Sequence, residues 1–204
     1  TFEPSNPGTL INGDAPAGKL IKGISSMSDI AVLNIQGAGI LDVIDVNRRI
    51  FTALASANIN VILISQASSE QITCLAIKIN EVALAKEAIE KEFFHEIRNG
   101  EIDVVHVISD LAIVAVVGEN MKQNPGASGR MFQALGRNNV NVYAIAQGSS
   151  ELNISAVVSK NDLQKALNAL HEAFFLSDNK VLLVTQGLLQ PDFGGQLVMV
   201  SDPG

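Results

Sequence analysis

The sequence repeats itself at a spacing of 81 residues, and this repeat constrains the fold more than any other feature. When residues 29–94 are aligned with residues 110–175 without a gap, 20 of the 66 pairs are identical. The clearest matching segments are Gln66-Ala-Ser-Ser-Glu70 and Gln147-Gly-Ser-Ser-Glu151, and each of them follows a short apolar run. A fixed period of this length indicates a supersecondary unit that was copied once. The chain is therefore predicted to contain two units of the same fold.

Hydrophobic periodicity predicts the same order of elements in each copy. In the first copy, residues 30–36 form a predicted strand, and apolar residues after Asp42 recur at intervals of three and four. This spacing is typical of an amphipathic helix, with Asp42 as its N-cap. Two short strands and a second helix follow, and residues 101–109 return as a strand. The second copy repeats the pattern with a helix at 128–138 but lacks a final strand, so a leading strand at 20–25 is predicted to complete its sheet.

These elements predict an α+β fold made of two tandem ferredoxin-like βαββαβ units. Each unit is expected to have a four-stranded sheet with both helices on one face. The first unit is predicted to span residues 20–109, and the second to span residues 110–176. Residues 1–19, which are rich in proline and glycine, are predicted to be a connector, and residues 177–204 a linker or the start of a following domain.

The composition argues against nucleic acid and membrane partners. The formal net charge is −7, and the sequence has no cluster of lysine and arginine that would attract a phosphate backbone. The longest apolar run near the repeats, Leu111 to Val117, is far shorter than the roughly 20 residues that a membrane-spanning helix needs. We therefore expect a cytosolic protein that binds neither nucleic acid nor a membrane.

The residue pattern predicts no catalytic group and no metal site in this chain. Cys74 is the single cysteine and falls in a predicted strand, which favours a buried, inert thiol over a reactive one. The histidines His95, His106 and His171 lie apart, without the spacing of metal ligands. A glycine pattern at Gly37 to Gly39 resembles a dinucleotide fingerprint but lacks its third glycine, and a hairpin rather than a parallel crossover follows.

Two features of the copies favour the binding of a small ligand. Gln66 and Gln147 end equivalent strands, and a side-chain amide offers two donors and an acceptor. Gly126 belongs to a turn before the first helix of the second copy, where exposed peptide N–H groups suit a small carboxylate. The alternatives are a plain turn at Gly126, and glutamine segments whose Ser-Ser-Glu residues bond their own backbone.

These segments resemble the tandem ACT regulatory region of aspartokinases, in particular the form that is fused to homoserine dehydrogenase. The similar residues are 58–70 and 139–155, and the resemblance covers about residues 7–178. It implies feedback control, in which threonine binds these domains and inhibits the kinase and, in fused forms, the dehydrogenase. It places the effector contacts at Gln66, Ile64 and Asn60 in the first copy, at Gln147, Ile145 and Asn141 in the second, and the effector carboxylate at Gly126 to Gly129 or Gly39 to Asp45.

The resemblance also implies a larger parent chain. Residues 1–19 look like the end of a kinase domain, and the parent is expected to be an aspartate kinase that uses ATP with Mg, with NADP if the dehydrogenase is present. This part of the chain is expected to bind no cofactor and to form a homodimer or a larger homo-oligomer. Residues 180–187 look like the first strand of the dehydrogenase nucleotide domain, but the glycine fingerprint does not follow. Asp42 and Asp45 stand where family members often have glycines, so a weaker or altered first site is expected.

Two alternatives to a threonine sensor are left open by the sequence. One is a lysine-sensing region of a monofunctional aspartokinase, because that class shares the same architecture. The other is a module that pairs subunits without any ligand.

Overall fold

The computed structural model describes residues 21–37, 42–67, 72–118, 126–147, 153–176, 187–191 and 197–201. The helices are α1 (Val43–Ser56), α2 (Val82–Glu92), α3 (Phe94–Arg98), α4 (Ala127–Arg137) and α5 (Leu163–His171). The strands are β1 (Ile21–Gln36), β2 (Leu63–Ala67), β3 (Ile72–Lys78), β4 (His106–Gly118), β5 (Val142–Gln147), β6 (Asn153–Ser159), β7 (Gly187–Pro191) and β8 (Leu197–Ser201). Short 3-10 turns at Ile79–Glu81 and Lys160–Asp162 precede α2 and α5, and a π-helical turn at Glu172–Leu176 follows α5.

Strands β1 to β6 form one antiparallel sheet in the order β2-β3-β1-β4-β6-β5. The first copy supplies one end of this sheet with α1 and α2, and the second copy supplies the other end with α4 and α5. The predicted α+β class, with two βαββαβ units, is therefore confirmed. The four-stranded sheets that were predicted for the two copies are joined into one sheet, because the two units share their central strands.

The shared strands are β1 and β4, and each of them belongs to both units. The first part of β1, residues 21–27, pairs with residues 113–118 of β4, while residues 30–36 pair with β3. Asp29 and Asp110, which are equivalent in the two copies, have φ angles of 61° and 56°. Residues with left-handed backbone conformations interrupt the regular pleat of a strand, and the pairing of β1 with β4 shifts register beside Asp29 and Asp110. The leading strand thus completes the second unit, as the sequence predicts.

Two boundaries differ from the sequence prediction. The predicted strands at 20–25 and 30–36 are one continuous strand, because β4 pairs with the polar residues between them. The predicted strand at 101–109 begins only at His106 and continues without a break into the second copy. Both differences follow from long-range pairing between the copies, which local sequence patterns do not report.

Apolar side chains form a core on each side of the sheet. In the first unit, Leu33, Ile50 and Phe93 belong to a cluster between the sheet and its helices. The second unit has an equivalent cluster under α4 and α5. A further cluster joins the faces that carry no helix, and it takes residues from both copies: Ile30, Val32, Leu63, Ala76, Leu111, Ile113, Ala144 and Val157. Because β2 and β5 also come into contact, the sheet curls so that its two halves pack against each other.

Arg49 ties α1 to the segment that links α2 and α3. Its Nε lies 2.8 Å from Glu92 Oε1, its Nη1 lies 2.5 Å from Glu96 Oε1, and its guanidinium carbon is 4.3 Å from the centroid of the Phe93 ring. The hydrogen bond between Arg49 and Glu96 raises the pKa of Arg49 and lowers the pKa of Glu96. This cluster fixes α1, the helix that contacts the first glutamine segment through Asn47.

The predicted connector at residues 1–19 lies outside the described residues, as does most of the predicted C-terminal segment. In that segment, β7 and β8 form an antiparallel hairpin in which Gly187 pairs with Ser201. The predicted boundaries of the two units and of the flanking segments stay predictions. Among the helices of the described residues, none has the length and hydropathy of a membrane-spanning segment.

Candidate functional site

The two glutamines lie at equivalent places on the two edge strands of the sheet. Gln66 is near the end of β2, and Gln147 ends β5. Both side chains are exposed, and so are Ile64 and Ile145, which are 50% and 45% exposed. These two strands also contact each other where the sheet curls, so the two glutamine segments lie on neighbouring parts of the molecule.

A short hydrogen-bonded chain holds Gln66 in the first copy. Asn47 Nδ2 donates to Gln66 Oε1 over a long distance of 3.4 Å, and Thr73 Oγ1 donates to Asn47 Oδ1 at 3.0 Å. Thr73 is buried on β3, directly opposite Gln66. The buried hydroxyl therefore orients Asn47, and Asn47 contacts the amide oxygen of Gln66.

The second copy brings Gln147 to the start of a helix. Ser128 Oγ donates to Gln147 Oε1 at 3.4 Å, and Ser128 is the second residue of α4. Gly126 is the N-cap of α4, with a φ angle of 99° that a residue with a side chain rarely adopts, and as a glycine it provides no side-chain cap. The first peptide N–H groups of a helix have no acceptor within it, and the helix dipole favours an anion there. Ser128 thus brings the Gln147 side chain to the start of α4, two residues from Gly126.

The corresponding helix start in the first copy is already occupied by a carboxylate. Asp42 is the N-cap of α1, as the sequence predicts, and its Oδ1 accepts from the Ile44 N–H at 3.0 Å. Asp45 lies in the first turn and pairs with Arg48 at 2.7 Å. Both acidic residues stand at the position where a ligand carboxylate was expected in the first copy.

Asn60 and Asn141 lie just before the two glutamine strands. Each asparagine is exposed and precedes its glutamine by six residues. The effector contacts expected at Asn60 and Asn141 stay predictions.

Sequence reasoning missed Asn47, Ser128 and Thr73, the polar residues that contact or orient the glutamines. Asn47 and Ser128 are separated by the repeat spacing of 81 residues, so they are equivalent in the two copies. The repeat could have shown that a polar residue recurs at this helical position. Thr73 could not be found in this way, because its equivalent in the second copy is Ile154.

Cys74 and the histidines take no part in this arrangement. Cys74 lies in β3, as predicted, and burial raises the pKa of its thiol. A thiol with a raised pKa is less reactive at neutral pH. The described residues contain no group of three or more histidine, cysteine or acidic side chains that could hold a metal ion.

Comparison with known proteins agrees with the fold and with the repeat. The family model of the ACT domain matches twice, at residues 33–93 and 114–174. The chain is 38% identical over 199 residues to the bifunctional aspartokinase/homoserine dehydrogenase of Haemophilus influenzae, covering 97% of this chain and 24% of the relative. It is 38% identical to bifunctional aspartokinase/homoserine dehydrogenase 1 of Zea mays, covering 97% of this chain and 22% of the relative. The ligand-free regulatory subunit of aspartate kinase from Thermus thermophilus superposes with a TM-score of 0.65 and 28% identity, over 76% of this chain and 99% of that one.

The repeat, the shared sheet and the two family matches together define the class: the chain belongs to the ACT domain family. More particularly, the pair of ACT units matches the regulatory regions of aspartokinases, and the relatives that share most of this chain are bifunctional aspartokinase/homoserine dehydrogenases. The chain spans about a quarter of the length of the curated relatives that it matches.

Proposed function

We propose that this chain senses threonine and controls an aspartokinase that is fused to a homoserine dehydrogenase. The observation that carries the proposal is the repeated glutamine on each edge strand, next to a polar residue of the neighbouring helix. The relatives that share most of this chain are named as bifunctional aspartokinase/homoserine dehydrogenases, which supports the fused parent. In such a parent, ATP with Mg and NADP would bind other domains, because the ACT pair supplies the effector site.

The chemistry at Gln147 suits a small amino acid with a hydroxyl group. The open N–H groups at the start of α4 favour a carboxylate, and the Gln147 amide offers a donor and an acceptor to the rest of the ligand. Residues 126–137 and 142–147, which surround this point, contain no aspartate or glutamate. A lysine ligand would bring its side-chain ammonium group next to Gln147, where residues 126–137 and 142–147 offer it no carboxylate partner. For that reason we favour threonine over lysine.

Control of the parent enzyme requires that the effector bind one arrangement of the ACT units better than another. A ligand with equal affinity for both arrangements shifts nothing. The edge strands β2 and β5 carry the glutamines, and their exposed isoleucines are available for contact with another subunit. We therefore propose that the chain acts as a homodimer or a larger homo-oligomer whose subunit contacts respond to the bound amino acid.

A screen of amino acids by thermal shift, followed by calorimetry, tests this proposal. Threonine at 100 times its dissociation constant should add about 2.7 kcal/mol to the unfolding free energy, a rise in Tm of roughly 5–10 °C. Gln147→Ala should lower threonine affinity, whereas Gln133→Ala, an exposed glutamine on α4, serves as the matched control. A shift with lysine and none with threonine would support the lysine sensor. No shift with any amino acid would overturn the proposal and favour a module that pairs subunits without a ligand.

A further inference from the structure

A groove lies between α4 and α5, the two long helices of the second unit. Its cavity has a volume of about 270 Å³, and Arg130, Arg137 and Glu172 are among the residues that line it. Ala134 and Ala169 also line it, and because they present only methyl groups, space remains between the two helices. Pockets for larger ligands usually measure about 300–1,000 Å³. The groove therefore has the size for a small metabolite.

Positive charge predominates in this groove, although the chain as a whole carries a formal charge of −7. Arg130 and Arg137 are seven residues apart on α4, which places them on the same side of the helix. Glu172 is the one acidic side chain among the described residues that line the groove. Guanidinium groups bind phosphate and carboxylate oxygens through paired, charge-assisted hydrogen bonds. The groove is therefore suited to a small oxyanion.

The contacts of the α4 side chains keep this face of the helix in place. The guanidinium carbon of Arg130 is 5.5 Å from the centroid of the Phe174 ring, which is buried. Asn138, next to Arg137, donates its Nδ2 to the Ala134 carbonyl at 2.9 Å. Within the described part of the chain, the exposed Arg137 side chain makes no hydrogen bond or ion pair. One guanidinium is thus held over an aromatic ring, and the second offers its donors to a ligand.

The first unit has a groove at the equivalent place, between α1 and α2, with a volume of about 460 Å³. Its floor is equivalent as well, because Ala53 and Ala88 correspond to the two alanines of the second groove at the repeat spacing of 81. The charge differs, because this groove is lined by Glu87 and Glu92 and by one lysine, Lys91. A positive groove is therefore not a general consequence of the fold.

The arginines of the two grooves differ in the same sense. The first copy has a serine, Ser56, at the position of Arg137. Its remaining arginine, Arg49, is bound by the carboxylates of Glu92 and Glu96. The first groove thus lacks the second guanidinium group, and its own arginine is already neutralised. The duplication offers two grooves of one design, of which only the second is suited to an anion.

We propose that the groove between α4 and α5 binds a small phosphorylated metabolite through the guanidinium groups of Arg130 and Arg137. A phosphate monoester carries a charge of about −1.5 to −2 at pH 7, which two guanidinium groups balance, whereas a single carboxylate carries half of that. The groove lies between two helices, while Gln147 lies on the edge strand β5. It is therefore a site separate from the proposed threonine site.

Calorimetric titration of the chain with glycerol 3-phosphate at pH 7 tests this proposal. Arg137→Ser introduces the residue that the first copy has at this position, and we expect it to weaken binding roughly fivefold or more. Arg48→Ser is the matched control, because it removes the same charge from an exposed position of α1 outside the groove. We expect it to change binding less than twofold, with both variants melting cooperatively. Equal losses in the two variants would reduce the binding to general charge attraction and overturn the proposal.

Further titrations identify the group that the groove recognises. Inorganic phosphate should bind the natural chain and lose affinity in Arg137→Ser, and Glu172→Lys, which introduces the first copy's lysine, should tighten both phosphate compounds at least twofold. Binding of a glutamate-rich peptide without binding of either phosphate compound would assign the groove to a protein partner and overturn the proposal. Phosphate binding that survives in Arg137→Ser but disappears in Gln147→Ala would place the anion at the edge strand, which also contradicts it.

Discussion

Replacement of Arg49 by methionine should destabilise the first ACT unit, because Arg49 joins α1 to the α2–α3 segment. Methionine keeps much of the side-chain length and removes the charge. The contact with Glu96 is between groups that are 20% and 17% exposed, so it should contribute about 1–1.5 kcal/mol. The contact with Glu92, which is 40% exposed, is screened by solvent and should add about 0.5 kcal/mol. Packing of the guanidinium over Phe93 should add about 0.5–1 kcal/mol.

Methionine recovers part of the packing, so the expected net loss is about 2 kcal/mol in the unfolding free energy at pH 7. Urea denaturation followed by circular dichroism measures this loss. The matched control is Arg48→Met, the neighbouring residue, whose ion pair with Asp45 is between groups that are 66% and 50% exposed. We expect Arg48→Met to change stability by less than about 0.5 kcal/mol. If Arg49→Met cost no more than Arg48→Met, the assignment of a structural role to this cluster would be refuted.

The same cluster has a pH signature. Arg49 lowers the pKa of Glu96 in the folded state below the ordinary value of 4.5. The stabilisation from a lowered carboxyl pKa is fully present above the unfolded value, and it is lost as the pH falls through the folded value. The stability difference between the natural chain and Arg49→Met should therefore stay constant from pH 7 to about pH 5 and shrink below pH 4.5. A difference that grew on acidification would contradict this sign.

Three further predictions test the fold. Ile50→Ala, at a fully buried position of α1, should lower the unfolding free energy by about 2–4 kcal/mol, as measured by urea denaturation. Ile44→Ala on the same helix, where the side chain is 79% exposed, should lower it by less than about 0.5 kcal/mol. Equal losses would contradict the burial of Ile50 in the core. Asn58 and Asn139 have φ angles of 56° and 52°, so replacing either with alanine should cost about 1 kcal/mol, and replacing it with glycine should cost less. The Cys74 thiol, whose pKa is raised by burial, should react with a disulfide reagent at pH 8 much more slowly in the folded chain than in urea. Equal reaction rates would contradict the burial of this thiol.

The repeat predicted the fold because the residues that determine the structure of one unit occur twice in the sequence. Asp42 and the apolar spacing after it predicted α1, and the equivalent spacing predicted α4 to within a residue at each end. The continuity of β1 could not be predicted, because residues 25–29 are mostly polar and read locally as a loop. Their strand structure depends on pairing with β4, more than 80 residues away in the sequence.

The candidate site was predictable in its glutamines but not in its asymmetry. Gln66 and Gln147 are identical in the repeat, so the sequence suggests two sites, of which the first is expected to be weaker or altered. The structure adds that α1 starts one turn early and that this turn carries its own carboxylate cap. Helix boundaries depend on capping and on tertiary contacts, which sequence periodicity locates only to within a few residues.

The most direct test of the central claim is an NMR titration of the isotope-labelled chain with threonine. The account predicts shifts of the backbone amides of Ala127, Ser128 and Gly129 and of the side-chain amide of Gln147, which saturate together with a single dissociation constant. It also predicts that the amides at the start of α1 change little. If threonine left the α4 start and the Gln147 side chain unperturbed, or shifted residues on another surface instead, the proposed sensor site would be contradicted.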